Sequence, residues 1–422
     1  MKNSFCCQAA DILLPARPVI EQGRWAAIAC DQFTSEPHYW EEADRLVQDA
    51  PSTLRMMLPE VYLSETNRRL PAIHQAMQEA LDHHLALHEN AMIAVARTQS
   101  DGRIRHGLVA CIDLEAYDYQ KGSTSLIRAT EGTVLERIPP RVAVRRGALL
   151  EMPHVMLLID DPDRTVIEPL FEKTATHEIA YDTDLMLGGG HIQGYFLSNE
   201  DQARVLGSLE NLITPDAMAA RYGDAALAPL LFAVGDGNHS LATAKAAFEE
   251  IKEAIGELAA ASHPARYALV EIVNLHDEAL SFEPIYRVLF GVDPNDVLTS
   301  LCAYVATLAG TATPQTVHVL GLPTPCDVVI EQPVQQLTVG TLQAFIDEYL
   351  KTHPTAEVDY IHGKDSTAAL AAAPDAIGFL FDGMAKSQLF RTVLYDGALP
   401  RKTFSMGHAQ DKRYYMECRK IK

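Results

Sequence analysis

Hydrophobic and polar positions follow two periods along this chain, and their changes mark the elements. The clearest change lies at residues 230–246. An apolar run, 230–234, meets Gly235-Asp236-Gly237-Asn238-His239-Ser240, and residues 241–258 are then rich in Ala, Glu, Lys and Leu. A continuous apolar run suits a strand covered on both faces, and the stretch after the turn suits a helix. Residues 25–30 repeat the plan: a short apolar strand, the polar loop 31–37, and a helix to about Gln48 capped by Ser35, with Glu36 and Pro37 in its first turn.

Residues 65–89 read as a long helix with Pro71 inside. Residues 92–97 and 104–114 flank Ser100-Asp101-Gly102-Arg103, a hairpin signal. A second hairpin is expected from 153–159 and 165–171, turning on Asp160-Asp161-Pro162-Asp163. Ser198 caps a helix to residue 212, and residues 267–275 form a strand ending in His276-Asp277-Glu278. From 293 to 382 strands and helices alternate: helices at 296–309 and 339–352, strands near 316–321, 326–331, 357–361 and 376–380. The expected fold is mixed α/β, with mixed and antiparallel sheets in a site-bearing region 1–291 and a smaller C-terminal α/β portion 292–422. The end of that portion is basic and aromatic, which predicts a tail packed back on the body.

Composition narrows the function. At 422 residues, 48% hydrophobic and 22% charged, the chain is an ordinary folded protein. Its net charge of −21, from 35 basic and 56 acidic residues, would repel a nucleic-acid backbone. The seven cysteines are scattered without a C-x-x-C pair, so neither a disulfide framework nor a structural zinc site is expected. No apolar window reaches the length of a membrane span and no signal-peptide core opens the chain, so the expected setting is cytoplasmic, away from membranes. His84 and His88 have the spacing of helical metal ligands but read as a solvated helix face, and Cys30 as a buried small hydrophobe.

The turn 235–240 is the first candidate for chemistry. Its two glycines allow unusual backbone angles, and the N–H groups of the following helix point at whatever lies over them. That outlines an anion site, although a plain helix start capped by Asn238 or Ser240 would look the same locally. It matches neither standard nucleotide fingerprint. Asp31 and Glu36, at the end of the other apolar run, are its natural partners. Five arginines between 128 and 146, interleaved with Ser, Thr and Glu, form a candidate anion clamp. The glycine-dense stretch 188–190 before His191 could admit a close approach to a ligand, and His276 and Asp277 follow a buried strand where open sheets place sites.

Taken together, residues 29–36 (ACDQFTSE), 127–133 (IRATEGT), 189–192 (GGHI), 234–240 (VGDGNHS) and 399–404 (LPRKTF) resemble the bacterial domain-of-unknown-function family 1015 over nearly the whole chain. The turn of that family is similar to the phosphate-binding turn of the ParB and sulfiredoxin superfamily, which includes free-serine kinases that use a nucleotide and, by resemblance, kinases that use pyrophosphate. Here Asp236, Gly237 and His239 match, while Asn238 and Ser240 replace a His and an Arg of the family pattern. The resemblance implies a ParB/sulfiredoxin-like phosphate-binding core and a small-molecule phosphotransferase dependent on Mg²⁺. Its acceptor would be a hydroxyl compound such as L-serine, and its donor pyrophosphate, ATP or ADP.

In that scheme Asp31, Glu36, Asp236 and His239 are catalytic, and Asp236 also holds the metal. Phosphate is bound by Arg128, Thr130, Glu131, Arg137, His191, Gly235, Gly237, Asn238, Ser240, Arg401 and Lys402. Two alternatives stay open: a nucleotide- or phosphate-binding regulatory protein without turnover, and a phosphate-ester hydrolase. A DNA-associated role is disfavoured by charge and by the absence of a basic recognition helix, and a sulfiredoxin-like reductase by the lack of a reactive Cys beside the turn. The partner is a small molecule, and oligomeric state is left open, a homodimer included.

Overall fold

The computed structural model describes residues 5–34, 36–132, 138–172 and 174–422, and the chain divides into two compact units. The first holds residues up to Ala129, 133–280 and 407–422; the second holds 130–132 and 281–406. The break thus falls before Ser281 rather than at 291/292, and residues 407–422 belong with the first unit.

In the first unit the described residues form a ten-stranded mixed sheet. Its centre runs Ile93–Thr98, Ile104–Asp113, Tyr267–Asn274, Met156–Ile159, Phe232–Asp236, Ile127–Ala129. The expected hairpin is present, with Thr98 opposite Ile104. Met156–Ile159 lies parallel to Tyr267–Asn274 and antiparallel to Phe232–Asp236, so the hairpin expected over 153–171 does not form. Asp161 does make the turn there, accepting from the N–H groups of Thr165 and Val166. The chain then enters a 3₁₀ turn at Glu168–Leu170 instead of a second strand.

Both sheet faces are buried, which is why the central strands read as unbroken apolar runs. Leu108, Ala110 and Ile112 face one core with Val205 and Leu209 of the helix Asn199–Asn211 and Leu241 and Phe248 of Asn238–Ile255. Their neighbours Val109 and Cys111 face a second core, closed by Ile73 and Met77 of the helix Thr66–His83 and by Tyr415, Met416 and Cys418 of the tail. That helix ends at His83, not at 89: Leu85–Ala91 is a strand paired with Ala10–Pro15, and His88 stacks on Phe196. Residues 25–29 are buried, Cys30 is partly so, and the stretch forms no strand. They make only a bridge, Ile28 to Arg413, because their backbone partners come from the tail.

The tail also carries a pH-sensitive group into this second core. Glu417 is fully buried, with Oε1 accepting from the Tyr181 hydroxyl at 2.5 Å. Burial pushes its carboxyl up to about 7 from an ordinary 4.5. Between those values the unfolded chain has lost this proton and the folded chain keeps it. The stabilising difference is therefore complete below about pH 4.5, declines as pH rises and is exhausted above about 7, a swing of at most about 3 kcal/mol. Glu417→Gln keeps the acceptor for Tyr181 and is expected to flatten this slope in denaturant unfolding between pH 5 and 8; an unchanged slope would assign it to another group.

In the second unit a six-stranded antiparallel sheet runs Cys326–Ile330, Gln315–Leu320, Ala376–Leu380, Phe282–Phe290, Glu357–His362, with Phe404–Met406 also on Phe282–Phe290. Helices Pro294–Ala306 and Thr338–Thr352 lie near their expected positions. Helices Lys364–Ala371 and Gln388–Asp396 and the strand Phe282–Phe290 were not foreseen.

Candidate functional site

The strand Phe232–Asp236 delivers Asp236 at its C-terminal end, opposite Met156. Gly237 then turns the chain at φ 81°, ψ 27°, and the helix Asn238–Ile255 begins at once. Neither Asn238 nor Ser240 caps it, since this end has no side-chain cap. Asp236 instead accepts from the N–H of Gly237 at 2.9 Å through Oδ1. The left-handed backbone at Gly237 is one demand for glycine, and close approach is another: a Cβ there would lie 3.0 Å from Val155 Cγ2 and 3.1 Å from Val155 Cα. Gly237→Ala is expected to cost about 1–3 kcal/mol, from the left-handed backbone and the contact with Val155 together. Denaturant unfolding checks the cost; a change below the error of the measurement would mean the turn is not held as described.

Three segments far apart in sequence close around this turn. Lys412 of the tail places Nζ 3.3 Å from Asp236 Oδ2, while its backbone carbonyl accepts from the N–H of Ala29 at 2.8 Å. His154, just before the strand Met156–Ile159, has Nε2 2.9 Å from Ser240 Oγ and sits edge-on to the Tyr414 ring. Asp31 receives the side-chain amide of Gln32 at 3.0 Å. Burial alone would raise the Asp31 pKa, but His154, the Gln32 amide and Lys412 outweigh it and hold the carboxyl below its usual range. Asp31 is therefore ionised at neutral pH. Tyr414 hydrogen-bonds Cys30, and burial pushes the Cys30 thiol up to about 12. A cysteine thus does stand near the turn, through folding rather than sequence, but as a protonated thiol and not as a nucleophilic thiolate.

Other candidates lie elsewhere or are otherwise engaged. Glu36 is exposed ahead of the helix Pro37–Val47, with no side-chain hydrogen bond or ion pair among the described residues. Arg128 does not take the clamp role expected of it. Its buried guanidinium donates to the carbonyls of Ser125, Ala228 and Pro229 and so braces the entry to the strand Phe232–Asp236. Arg137 lies outside the described residues. Both ring nitrogens of His191 meet carboxylates, Asp184 at 2.7 Å and Asp182 at 2.8 Å, a setting that repels phosphate. The nearby glycines serve packing: a Cβ at Gly189 would enter the Arg413 guanidinium, and one at Gly190 the Thr98 carbonyl.

His276 is bonded to Asp160 at 2.7 Å, beyond the end of Met156–Ile159 away from the turn. Thr130, Glu131, Arg401 and Lys402 belong to the second unit. There Thr130 accepts from the N–H of Leu399, and Arg401 and Lys402 lie over the Tyr360 ring. Sequence reasoning missed His154, because it precedes its strand, and Lys412 and Tyr414, whose basic-aromatic setting was the only signal.

A cavity of about 170 Å³ opens beside the turn. Met56, Met57, Leu58, Val144, Leu150 and Met152 are among its apolar lining residues, and Cys30, His154, Ser240, Thr243 and Tyr414 among its polar ones. Arg141 and Arg145 also line it, ion-paired to Glu60 and Glu151. Among the described residues no group of three or more His, Cys, Asp or Glu is placed to hold a metal. Asp236 alone would suit Mg²⁺, which takes one or two carboxylates and completes its shell with phosphates and water. Nor is any described helix long and apolar enough to cross a membrane.

No curated protein matches the sequence. Among solved structures, a conserved hypothetical protein from Pyrococcus furiosus is similar at 11% identity and TM-score 0.34, over 71% of this chain and 90% of that one. A free serine kinase variant in complex with AMP is similar at 11% identity and TM-score 0.38, over 74% and 91%. SbnI from Staphylococcus aureus, truncated at its C-terminus, is similar at 8% identity and TM-score 0.34, over 71% and 82%. Similarity of this degree carries no inference about activity. At the level of sequence family the match is extensive, spanning residues 13–380, and the chain belongs to the family described as "Protein of unknown function (DUF1015)".

Proposed function

We propose that the first unit is a phosphotransferase, dependent on magnesium, that moves a phosphoryl group from a nucleotide or pyrophosphate onto a small hydroxyl compound. The observation that carries this reading is the meeting of Asp31, Asp236 and Lys412 at a glycine-hinged helix start. Phosphoryl transfer asks a protein for positioning and charge neutralisation more than for covalent chemistry. The backbone from Gly235 to Ser240 cradles the donor at the positive end of the helix. Lys412 neutralises phosphate oxygens from beside Asp236, and His239 bonds the transferred group. Asp236 would hold magnesium, which would supply charge neutralisation to the donor. Asp31, ionised at neutral pH, orients the acceptor hydroxyl and takes its proton as the new ester bond forms.

Phosphorus NMR of the protein with Mg²⁺ and free serine, the simplest acceptor, tests this with ATP, ADP and pyrophosphate offered separately. A phosphomonoester formed from one donor only is the expected result. Orthophosphate without ester would point to hydrolysis. Donors that bind yet stay intact with every hydroxyl compound offered would leave a ligand-sensing site without turnover, and the proposal would fail.

A further inference from the structure

The cavity beside the turn is larger and more apolar than a free serine requires. An apolar protein cavity of about 150 Å³ holds a benzene molecule, so 170 Å³ has room for an apolar body of about six carbons. Three methionines, Met56, Met57 and Met152, give its lining adaptable, polarizable surface. Serine, whose only apolar part is one methylene, would leave that surface wet. The charges on the wall cancel: Arg141 is paired with Glu60, and Arg145 with Glu151 at 2.6 Å. A ligand with no net charge, whether neutral or zwitterionic, therefore meets no unbalanced ion there. Ser240 and His154, 2.9 Å apart, also line it, and His154 lies close enough to Asp31 to lower its pKa. A molecule filling the apolar part would thus carry its hydroxyl toward the groups assigned to catalysis.

Resting on the phosphotransferase function proposed above, we propose that this cavity binds the acceptor. The preferred acceptor is then a hydroxyl compound with an apolar body of about six carbons, and free serine is a weaker one. The pair serine and β-phenylserine isolates this feature, since the two share a head group and differ by a phenyl ring on the hydroxyl-bearing carbon. Each is titrated into the full chain without phosphate donor and followed by calorimetry or saturation-transfer NMR, so that binding is read apart from turnover.

Phenylserine is expected to bind at least about tenfold more tightly than serine, from burial of the ring. Val144, half-buried on the helix Ile138–Arg146, lines the cavity, and Val144→Phe is expected to abolish that advantage while leaving the thermal transition in place. Should Val144→Phe unfold the protein, Met152→Phe, from the segment 152–155, fills space in the same cavity. Equal binding of the two probes, no binding of phenylserine, or binding that neither substitution affects would overturn the proposal. If phenylserine binds as expected but is phosphorylated by no donor, the cavity's selectivity stands and the transfer reaction fails.

Discussion

Asp236→Asn is expected to lower phosphoryl transfer by about 10²–10³-fold or more while the protein stays folded. The substitution is nearly isosteric and keeps an oxygen to accept from the Gly237 N–H, the 2.9 Å bond that shapes the turn. It removes the negative charge that faces Lys412 at 3.3 Å and that would share the donor's cation. A loss of two to three orders of magnitude is what removal of one group stabilising transition-state charge ordinarily costs. Turnover by phosphorus NMR, with unfolding curves run alongside, checks both halves. Unchanged turnover would remove Asp236 from the chemistry. A collapse of stability would make it a structural carboxylate of the turn.

The largest stability effect is expected at Arg105→Ala. Under the sheet, Arg105 Nη2 donates to Glu271 Oε2 at 2.9 Å and to the Tyr415 hydroxyl at 2.5 Å, and that hydroxyl donates to Glu271 Oε2 at 3.1 Å. All three side chains are buried. Burial by itself lowers the pKa of Arg105, but Glu271 and Tyr415 outweigh it and raise it, so the guanidinium is held in its charged form. Removing it leaves Glu271 charged without its partner in a low-dielectric core, which costs about 3–5 kcal/mol. Adding Glu271→Gln should recover much of that loss, because the orphaned charge goes with it. Urea unfolding of the single and double variants provides the cycle. If the double variant is as unstable as the sum of both single changes, the two residues are not coupled as described.

Much of the site's local geometry is written in contiguous residues. An apolar run, two glycines around an aspartate and an Ala-rich stretch specify a strand, a left-handed hinge and a helix wherever they occur, because each preference is decided within a few residues. The structure shifts the boundaries: the strand runs Phe232–Asp236, and the helix starts at Asn238, directly after Gly237, and ends at Ile255. The hairpin around Ser100–Arg103 was legible for the same reason. Elsewhere the local signal was right and its consequence wrong. Asp161 turns the chain as its sequence implies, yet the strand before that turn pairs with Tyr267–Asn274 and Phe232–Asp236 instead of with residues 165–171. Turn chemistry specifies a change of direction but not the neighbour.

Sequence alone therefore determined the mixed α/β class, the two-sided burial of the central strands and the strand-turn-helix that presents Asp236. Tertiary structure decided what meets that turn. Antiparallel pairing puts the start of Met156–Ile159, and so His154, beside the end of Phe232–Asp236, and the returning tail carries Lys412 and Tyr414 to Asp31 and Cys30. It also sent Arg128 and His191, plausible anion ligands by residue type, to backbone carbonyls and aspartates. The physical reason is range. Backbone preference and amphipathic period act over a few residues, whereas sheet register and tail docking are settled by burying apolar surface across the whole unit.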